Sequence, residues 1–183
     1  MKKYTRDYIY LIAIAGVIVI LDQWTKHLVQ SLIPFGGSWS PWPWLAPYAR
    51  IVHWSNTGAA FGMFQNLGLI FTVLAFIVAI AILYYFPRVP RNEWAIRLAM
   101  IMQLGGAVGN LIDRLTKGTV TDFISVGTFA VFNVADASIS VGTAILILAV
   151  WISERKQKKM AEVGSPQSPG LPAPPDSENH PVE

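Results

Sequence analysis

Four long apolar runs constrain this chain more than any other feature of its sequence. They cover about residues 8–29, 67–86, 95–112 and 133–152. An α-helix needs roughly 20 predominantly apolar residues to cross the hydrocarbon core of a bilayer, and each run approaches that length. Only 14% of the residues are charged, against about 25% in soluble domains. The sequence therefore predicts an all-α polytopic membrane protein with four transmembrane helices.

The first run has a second interpretation, because the basic start MKKYTR followed by an apolar stretch also suits a cleaved signal peptide. The run lacks a small-residue cleavage site, however, and three further runs follow it. We therefore expect the first run to be retained as a helix.

Lysine and arginine are distributed unequally between the two sides of such a bundle. Ten of the fourteen precede the first run, surround the turn between the second and third, or follow the fourth. The positive-inside rule then places both termini in the cytoplasm. The stretches 31–66 and 114–132 would lie outside the membrane.

The predicted outer stretches differ in character from the cytoplasmic tail. Residues 31–66 are rich in Pro, Gly and Trp and include ARIVHW, whose alternation predicts a short strand. Residues 114–132 are predicted to form a short extracytoplasmic loop. Residues 160–183 contain six Pro, a composition typical of disorder. We expect one domain over residues 1–159 and a disordered Pro-rich tail after it.

Ionisable and polar residues concentrate at the predicted outer edge of the helices, where four aspartates lie: Asp22, Asp113, Asp122 and Asp136. Such groups are functional candidates because they are costly near lipid. Structural alternatives exist, since Asp22 could pair with Lys26 four residues later and Asp136 could stabilise the first turn of its helix. Arg97 and Gln103 interrupt the third run.

Other catalytic chemistries lack their residues. The chain has no Cys, and it has no HExxH, GxSxG or phosphate-loop motif. Its basic residues flank the membrane runs in short clusters, a pattern of topology signals. We therefore predict no metal, no cofactor and no nucleic-acid partner.

Two converging carboxylates would suffice for peptide hydrolysis. Held about 3 Å apart they share a proton, so that one can activate a water and the other can hydrogen-bond the carbonyl under attack. Spacing alone leaves open whether Asp113 or Asp122 is the partner of Asp136.

Five short motifs occur in a fixed order around the four runs: DQWTK, NTGAAF, GGAVGNLIDR, VTDF and FNVAD. This ordered set resembles the bacterial lipoprotein signal peptidases (signal peptidase II). The resemblance implies a membrane aspartyl endopeptidase of the bacterial cytoplasmic membrane. It implies cleavage of prolipoproteins before the diacylglyceryl-modified lipobox Cys, at the outer face, with membrane lipid as a further partner.

The resemblance also assigns residues. It makes Asp122 and Asp136 the catalytic pair. The positions it places around the site, lining it or contacting substrate, are Asp22, Lys26, Asn56, Asn110, Arg114 and Asn133. It gives Asp113 a supporting role, by pairing with Arg114.

Two other functions remain open at this point. Carboxylates in apolar helices also occur in proton-coupled membrane carriers, although carriers place them near the bilayer midplane. A non-catalytic scaffold could use the small-residue spacing of Gly105 and Gly109 as a helix contact. Cleavage of a lipid-modified prolipoprotein would favour the peptidase, and proton-coupled uptake into liposomes would favour the carrier.

Overall fold

A computed structural model of the chain describes residues 2–57 and 68–164. The elements it describes are helix α1 (Lys2–Leu32), strands β1 (Ser38–Trp39) and β2 (Ala49–Asn56), helix α2 (Gly68–Tyr85) with a 3-10 turn (Phe86–Arg88), helix α3 (Trp94–Lys117), strand β3 (Val120–Val126) and helix α4 (Val134–Gly164). Each of these four α-helices contains a stretch long and apolar enough to cross a membrane. The predicted fold class is confirmed. Residues 58–67, which include the glycine of NTGAAF, lie outside the described residues.

Three helices extend beyond their predicted ends. Helix α1 covers Lys2–Leu32, where residues 8–29 were predicted. Helix α3 continues past residue 112 and ends at Gly118, which has a left-handed φ of 78° and bonds its N–H to the carbonyl of Arg114, a common helix C-terminus. Helix α4 continues to Gly164, so residues 160–164 of the predicted tail are helical. Lys, Met, Ala and Glu are good helix formers, and the first Pro comes only at position 166. Residues 165–183 lie outside the described residues.

Helix α3 is the most enclosed of the four. In its most apolar window 61% of the residues are buried, against 17% in each of the other three spans. Its inner half packs against α1 and α2 through a cluster of apolar side chains: Leu11, Ala15, Ile82, Phe86, Ile101 and Leu104. Because α3 lies among the other helices, its buried polar residues Arg97, Asn110 and Asp113 are held by neighbours instead of facing lipid.

A buried ion cluster joins α1 to α3 near the first turns of both helices. Asp7 accepts hydrogen bonds from Arg97 at 2.8 Å and from Arg91 at 3.1 Å. Arg97 also donates to the carbonyl of Val89 and stacks over the ring of Phe86. The arginine that interrupts the third apolar run is therefore a structural residue, paired and hydrogen-bonded as a buried charge requires.

The three strands form one antiparallel sheet in the order β1-β2-β3. Strand β2 contains the predicted ARIVHW strand. Its partner β3 occupies the stretch that we predicted as a loop, and the pairing places Trp54 opposite Asp122. A sequence-local prediction missed β3 because its pairing partner lies about 70 residues away in the chain. The sheet thereby joins the two predicted outer stretches and carries Asp122 to the end of the helices.

Candidate active site

The structure brings all nine predicted site residues to one end of the helices. They come from five different elements: Asp22 and Lys26 from α1, Asn56 from β2, Asn110, Asp113 and Arg114 from α3, Asp122 from β3, and Asn133 and Asp136 from the start of α4. Two linked groups result. One surrounds Asp122 and Asp136. The other is a second buried ion cluster, formed by Lys26, Asp22 and Asp113; it is separate from the Asp7 cluster and is called the ion cluster below.

The start of α4 fixes Asp136 by a reciprocal pair of hydrogen bonds. The side-chain oxygen of Asn133 accepts from the backbone N–H of Asp136 at 2.9 Å, and a carboxylate oxygen of Asp136 accepts from the backbone N–H of Asn133 at 3.3 Å. This is the arrangement of a capping box, in which cap and third residue satisfy each other's backbone. The helix-stabilising role foreseen for Asp136 is therefore real, and it also orients the carboxylate.

Strand pairing fixes Asp122. Because β2 and β3 are antiparallel neighbours, Asn56 at the end of β2 can reach Asp122 and donates to one of its oxygens at 2.8 Å. Asn133 donates to the other oxygen at 2.7 Å. The Asp122 side chain is buried, with 1% of its surface exposed.

Two asparagines connect the two carboxylates. Asn133 donates to the side-chain oxygen of Asn110 at 3.1 Å, and Asn110 donates to Asp136 at 2.7 Å. The orientation of the Asn110 amide is determined by Lys26, which can only donate and contacts the amide oxygen at 3.1 Å. Asp122 and Asp136 are thus held by amide donors within a single hydrogen-bond network.

The electrostatics of Asp122 favour a proton. Burial, reinforced by the negative charge of Asp136, raises its pKa from 3.8 to about 7, although the hydrogen bonds from Asn56 and Asn133 act in the opposite direction. Desolvation and a nearby like charge both disfavour an ionised carboxylate. At neutral pH Asp122 can therefore exchange a proton, which an ordinary surface aspartate cannot.

Lys26 is the centre of the ion cluster. Its ammonium contacts Asp22 at 2.8 Å and Asp113 at 3.0 Å, and all three side chains are fully buried. Asp22 also accepts from the backbone N–H of Ala135 at 2.9 Å, in the first turn of α4. Asp113 accepts from the backbone N–H of Thr121 at 3.1 Å. The cluster therefore ties the N-terminus of α4 and the start of β3 to α1 and α3.

The predicted pairing of Asp113 with Arg114 is wrong. Asp113 is paired with Lys26 and, at 3.1 Å, with Lys117. Arg114 instead lines a cavity, with its guanidinium 5.8 Å from the centre of the Phe71 ring. Adjacent residues of a helix point about 100° apart, so only residues three or four positions away share a face. This geometry places Asp113 with Lys117 and Arg114 with Asn110.

The glycines of GGAVGN let α3 approach its neighbours closely. A Cβ on Gly109 would lie 2.7 Å from a carboxylate oxygen of Asp22, and a Cβ on Gly106 would collide with the backbone carbonyl of Ala135. A Cβ on Gly105 would lie 2.8 Å from Cβ of Ile18 in α1. The glycines are thus packing devices, and two of them seat the start of α4 that carries Asp136.

Both carboxylates open onto one cavity of about 720 Å³. Its polar wall consists of Asn56, Asn110, Arg114, Asp122 and Asp136, and an apolar limb continues between α2, α3 and α4. Among the described residues, no group of three or more His, Cys, Asp and Glu side chains could hold a metal ion. The carboxylates are occupied by amide, ammonium and backbone donors instead.

Sequence reasoning missed two polar side chains that support the site. Gln23 donates to Asp22 and to the carbonyl of Gly109, both at 3.1 Å. Its position inside DQWTK, next to Asp22, was a usable signal. Gln30 donates to the hydroxyl of Thr121 at 2.6 Å; nothing in the local sequence indicates this contact.

Comparison with known proteins gives one consistent result. The family model described as Signal peptidase (SPase) II matches residues 14–152. A lipoprotein signal peptidase of Halalkalibacterium halodurans is 38% identical over 154 residues, which cover 82% of this chain and 96% of the relative. One of Caldanaerobacter subterraneus subsp. tengcongensis is 45% identical over 138 residues, covering 74% and 91%.

The fold is shared with solved structures as well. A bacterial membrane enzyme superposes with a TM-score of 0.72 at 31% identity, covering 79% of this chain and 89% of that one. A second bacterial membrane enzyme gives a TM-score of 0.68 at 32% identity. With a family match over residues 14–152 and relatives this similar, the chain belongs to the Signal peptidase (SPase) II family of aspartic membrane endopeptidases.

Proposed function

We propose that Asp122 and Asp136 carry out the hydrolysis by which this membrane endopeptidase removes signal peptides from prolipoproteins. One observation carries the assignment: the carboxylates of Asp122 in β3 and Asp136 in α4 line the same cavity, within one amide network. Asp113, the alternative partner left open by spacing, is committed to Lys26 and Lys117. This arrangement supports Asp122 as the partner of Asp136.

The protonation states of the two carboxyl groups suit general acid–base catalysis. With a pKa of about 7, Asp122 can hold the shared proton at neutral pH while Asp136 is ionised. Asp136 takes a proton from a water as the water oxygen bonds to the scissile carbonyl carbon. Asp122 donates its proton to the carbonyl oxygen. The barrier falls because both transfers occur within positioned hydrogen bonds.

Collapse of the tetrahedral intermediate restores the starting state. The C–N bond breaks as the leaving amine takes the proton from Asp136, and one hydroxyl of the intermediate returns its proton to Asp122. The two carboxyls titrate as a unit, so the apparent pKa values of the reaction belong to the pair.

The remaining polar residues have supporting roles in this proposal. Asn56 and Arg114 line the cavity and are placed to contact the substrate backbone. Asn110 and Asn133 hold the two carboxylates, and Lys26 orients Asn110. Asp22 and Asp113 neutralise Lys26 and anchor α4 and β3.

The orientation in the membrane is part of the proposal. The positive-inside rule supports cytoplasmic termini and a site at the extracytoplasmic face of the bacterial cytoplasmic membrane. The apolar limb of the cavity, between α2, α3 and α4, suits the acyl chains of a diacylglyceryl-modified Cys that arrives from the bilayer. Exposed tryptophans of the outer segment, with Trp42 and Trp44 stacked 6.0 Å apart, suit contact with the lipid interface.

The carrier alternative fits less well. Asp122 lies in β3, outside the apolar spans, and Asp136 is in the first turn of α4. Coupling carboxylates of carriers lie near the bilayer midplane, so the position of this pair at the helix ends favours hydrolysis.

The decisive assay is cleavage of a diacylglyceryl-modified prolipoprotein by the purified protein, followed as loss of the signal peptide on a gel. We expect Asp122→Asn and Asp136→Asn each to reduce the rate by a factor of about 10⁴ or more, as removal of one member of a catalytic unit does. Glu154→Gln, an equal change of charge at an exposed position on α4, is the control and should leave the rate unchanged. Full activity in either Asn variant contradicts the assignment.

A further inference from the structure

Three polar side chains lie in the apolar limb of the cavity, away from the catalytic pair. They are Gln103 on α3 and Ser140 and Thr143 on α4. Across from them, α2 contributes only apolar side chains: Phe71, Leu74, Ala75 and Val78. Polar groups that face a membrane cavity are costly and therefore candidates for a function, and the proposed mechanism uses none of these three.

The hydrogen-bonding capacity of this group is only partly used. Gln103 donates to the hydroxyl of Thr143 at 3.4 Å, a long bond, and Thr143 donates to the carbonyl of Ile139 in its own helix. A glutamine amide has two N–H donors and an acceptor oxygen, so the bond to Thr143 leaves one N–H of this cavity-lining residue available.

The position of Gln103 is set by packing. A Cβ on Gly142 would lie 3.4 Å from Cγ of Gln103 and 3.0 Å from the carbonyl of Ala99. The glycine thus lets the stem of Gln103 lie directly against α4. The amide group is consequently directed along the α3–α4 seam, where Thr143 meets it.

The distance from the catalytic pair can be obtained from helix geometry. Gln103 precedes Asn110 by seven residues, and Thr143 follows Asp136 by seven. At 1.5 Å per residue both steps are about 10 Å along the helix axes. The polar group therefore lies about 10 Å deeper in the membrane than the residues that hold the catalytic carboxylates.

A diacylglyceryl-modified Cys places hydrogen-bond acceptors at this distance. Eight bonds separate the scissile carbonyl carbon from the nearer ester carbonyl carbon, through the Cys nitrogen, Cα, Cβ, sulfur, two glyceryl carbons and the ester oxygen. An extended chain advances roughly 1.2 Å per bond, which gives about 10 Å. Ester carbonyl oxygens only accept, and the open groups of the Gln103 amide and the Ser140 hydroxyl can donate.

We propose that Gln103, with Ser140 and Thr143, forms a subsite for the ester carbonyls of the substrate's diacylglyceryl group. This inference rests on the proposed function and adds to it a determinant of lipid specificity. The subsite recognises the ester carbonyls by hydrogen bonds. The apolar wall of α2 binds the alkyl chains equally well whether an ester or an ether joins them to the glyceryl group.

The experiment compares two synthetic prolipoprotein peptides that differ only in the linkage of their two alkyl chains to the glyceryl group, ester in one and ether in the other. Cleavage is measured in an alkyl-glycoside detergent, which contains no ester. A hydrogen bond in a membrane setting is worth about 0.6 to 1.5 kcal/mol, so the wild type should have a KM about three- to tenfold lower for the ester peptide, with equal kcat. Gln103→Leu should raise the KM of the ester peptide to that of the ether peptide and leave the latter unchanged.

Thr72→Val is the matched control for Thr143→Val. The Thr72 hydroxyl bonds to the carbonyl four residues earlier in α2, as the Thr143 hydroxyl does in α4, but Thr72 does not line the cavity. We expect Thr143→Val to weaken the ester preference and Thr72→Val to leave it intact. Adding ester phospholipid should compete only if the subsite also accepts bilayer esters, and an ether phospholipid tests that source separately.

The outcomes distinguish failure of the ester subsite from failure of the proposed peptidase function. A wild type that cleaves both peptides with the same KM overturns the subsite and leaves the peptidase intact, whether or not the variants fold. Equal effects of Gln103→Leu on both peptides overturn it as well, since they indicate packing with the signal helix. Cleavage of neither peptide by the wild type overturns the proposed function itself.

Discussion

Replacing Asp122 with Asn should alter how the stability of the protein depends on pH, in addition to abolishing hydrolysis. In the folded protein, burial and the charge of Asp136 raise the pKa of this carboxyl from 3.8 to about 7. Between these two pH values the folded state holds a proton that the unfolded chain has released. The stabilisation from this group is therefore fully present below about pH 3.8 and is lost as the pH rises through 7.

The size of the effect follows from the same values. Moving a pKa from 3.8 to about 7 corresponds to at most roughly 4 kcal/mol. Asn has the same shape and no charge, but its NH₂ must face one of the two amide donors, Asn56 or Asn133. That lost hydrogen bond costs about 1–2 kcal/mol. Asp122→Asn should be less stable than the wild type at pH 4 by about that amount and more stable at pH 8 by about 2–3 kcal/mol.

Thermal unfolding in detergent, followed by the fluorescence of the seven Trp residues, measures the difference. At about 2–4 °C per kcal/mol for a chain of this size, the midpoint of the variant should exceed that of the wild type by about 4–12 °C at pH 8. Glu154→Gln removes a charge at an exposed position and should follow the wild type at every pH. If Asp122→Asn and the wild type change in parallel from pH 4 to pH 8, the buried carboxyl does not retain its proton in the folded state over this pH range.

Three further results are expected. Lys26→Met leaves buried carboxylates without their cation and should lower the free energy of unfolding by about 3–5 kcal/mol in chemical denaturation. Lys117→Met, at a half-exposed pair, should lower it by under about 1 kcal/mol. Equal losses in the two variants contradict the role of Lys26 as the main counter-ion of the buried carboxylates. Gly106→Ala drives a Cβ into the backbone of α4 and should reduce both stability, by about 1–3 kcal/mol, and the cleavage rate. Gly16→Ala, whose Cβ meets no atom within 4 Å, should leave the rate unchanged, and a rate loss there argues against the close-packing explanation. The kcat/KM of the wild type should fall as the pH rises above about 7, where Asp122 loses its proton, and a rate that keeps rising to pH 9 excludes it as the acid.

Local patterns in the chain were sufficient to predict the membrane helices and the four aspartates at their outer ends, and the resemblance of the five ordered motifs assigned the remaining polar residues of the site. Hydropathy and length decide which segments leave water, and helical spacing decides which neighbours share a face. Those rules predicted the Asp22–Lys26 pair, which the structure contains. They also identified the start of α4, where Asn133 and Asp136 cap the helix.

The same rules could not predict contacts between distant segments. Strand β3 was expected to be a loop because its stability depends on pairing with β2. Asp113 was assigned to its chain neighbour Arg114, and it pairs instead with Lys26 of another helix. The open choice between Asp113 and Asp122 has the same origin, because distances across the bundle are absent from one-dimensional spacing.

The sequence by itself determined that this chain enters a membrane, since the transfer free energy of its four apolar runs depends only on composition and length. It also determined which acids and amides lie at the helix ends. Only the tertiary structure decided how these groups are used. It buried Asp113 against two lysines and brought Asp122 and Asp136 to one cavity, because the charge and desolvation that a carboxyl experiences are properties of its neighbours in space.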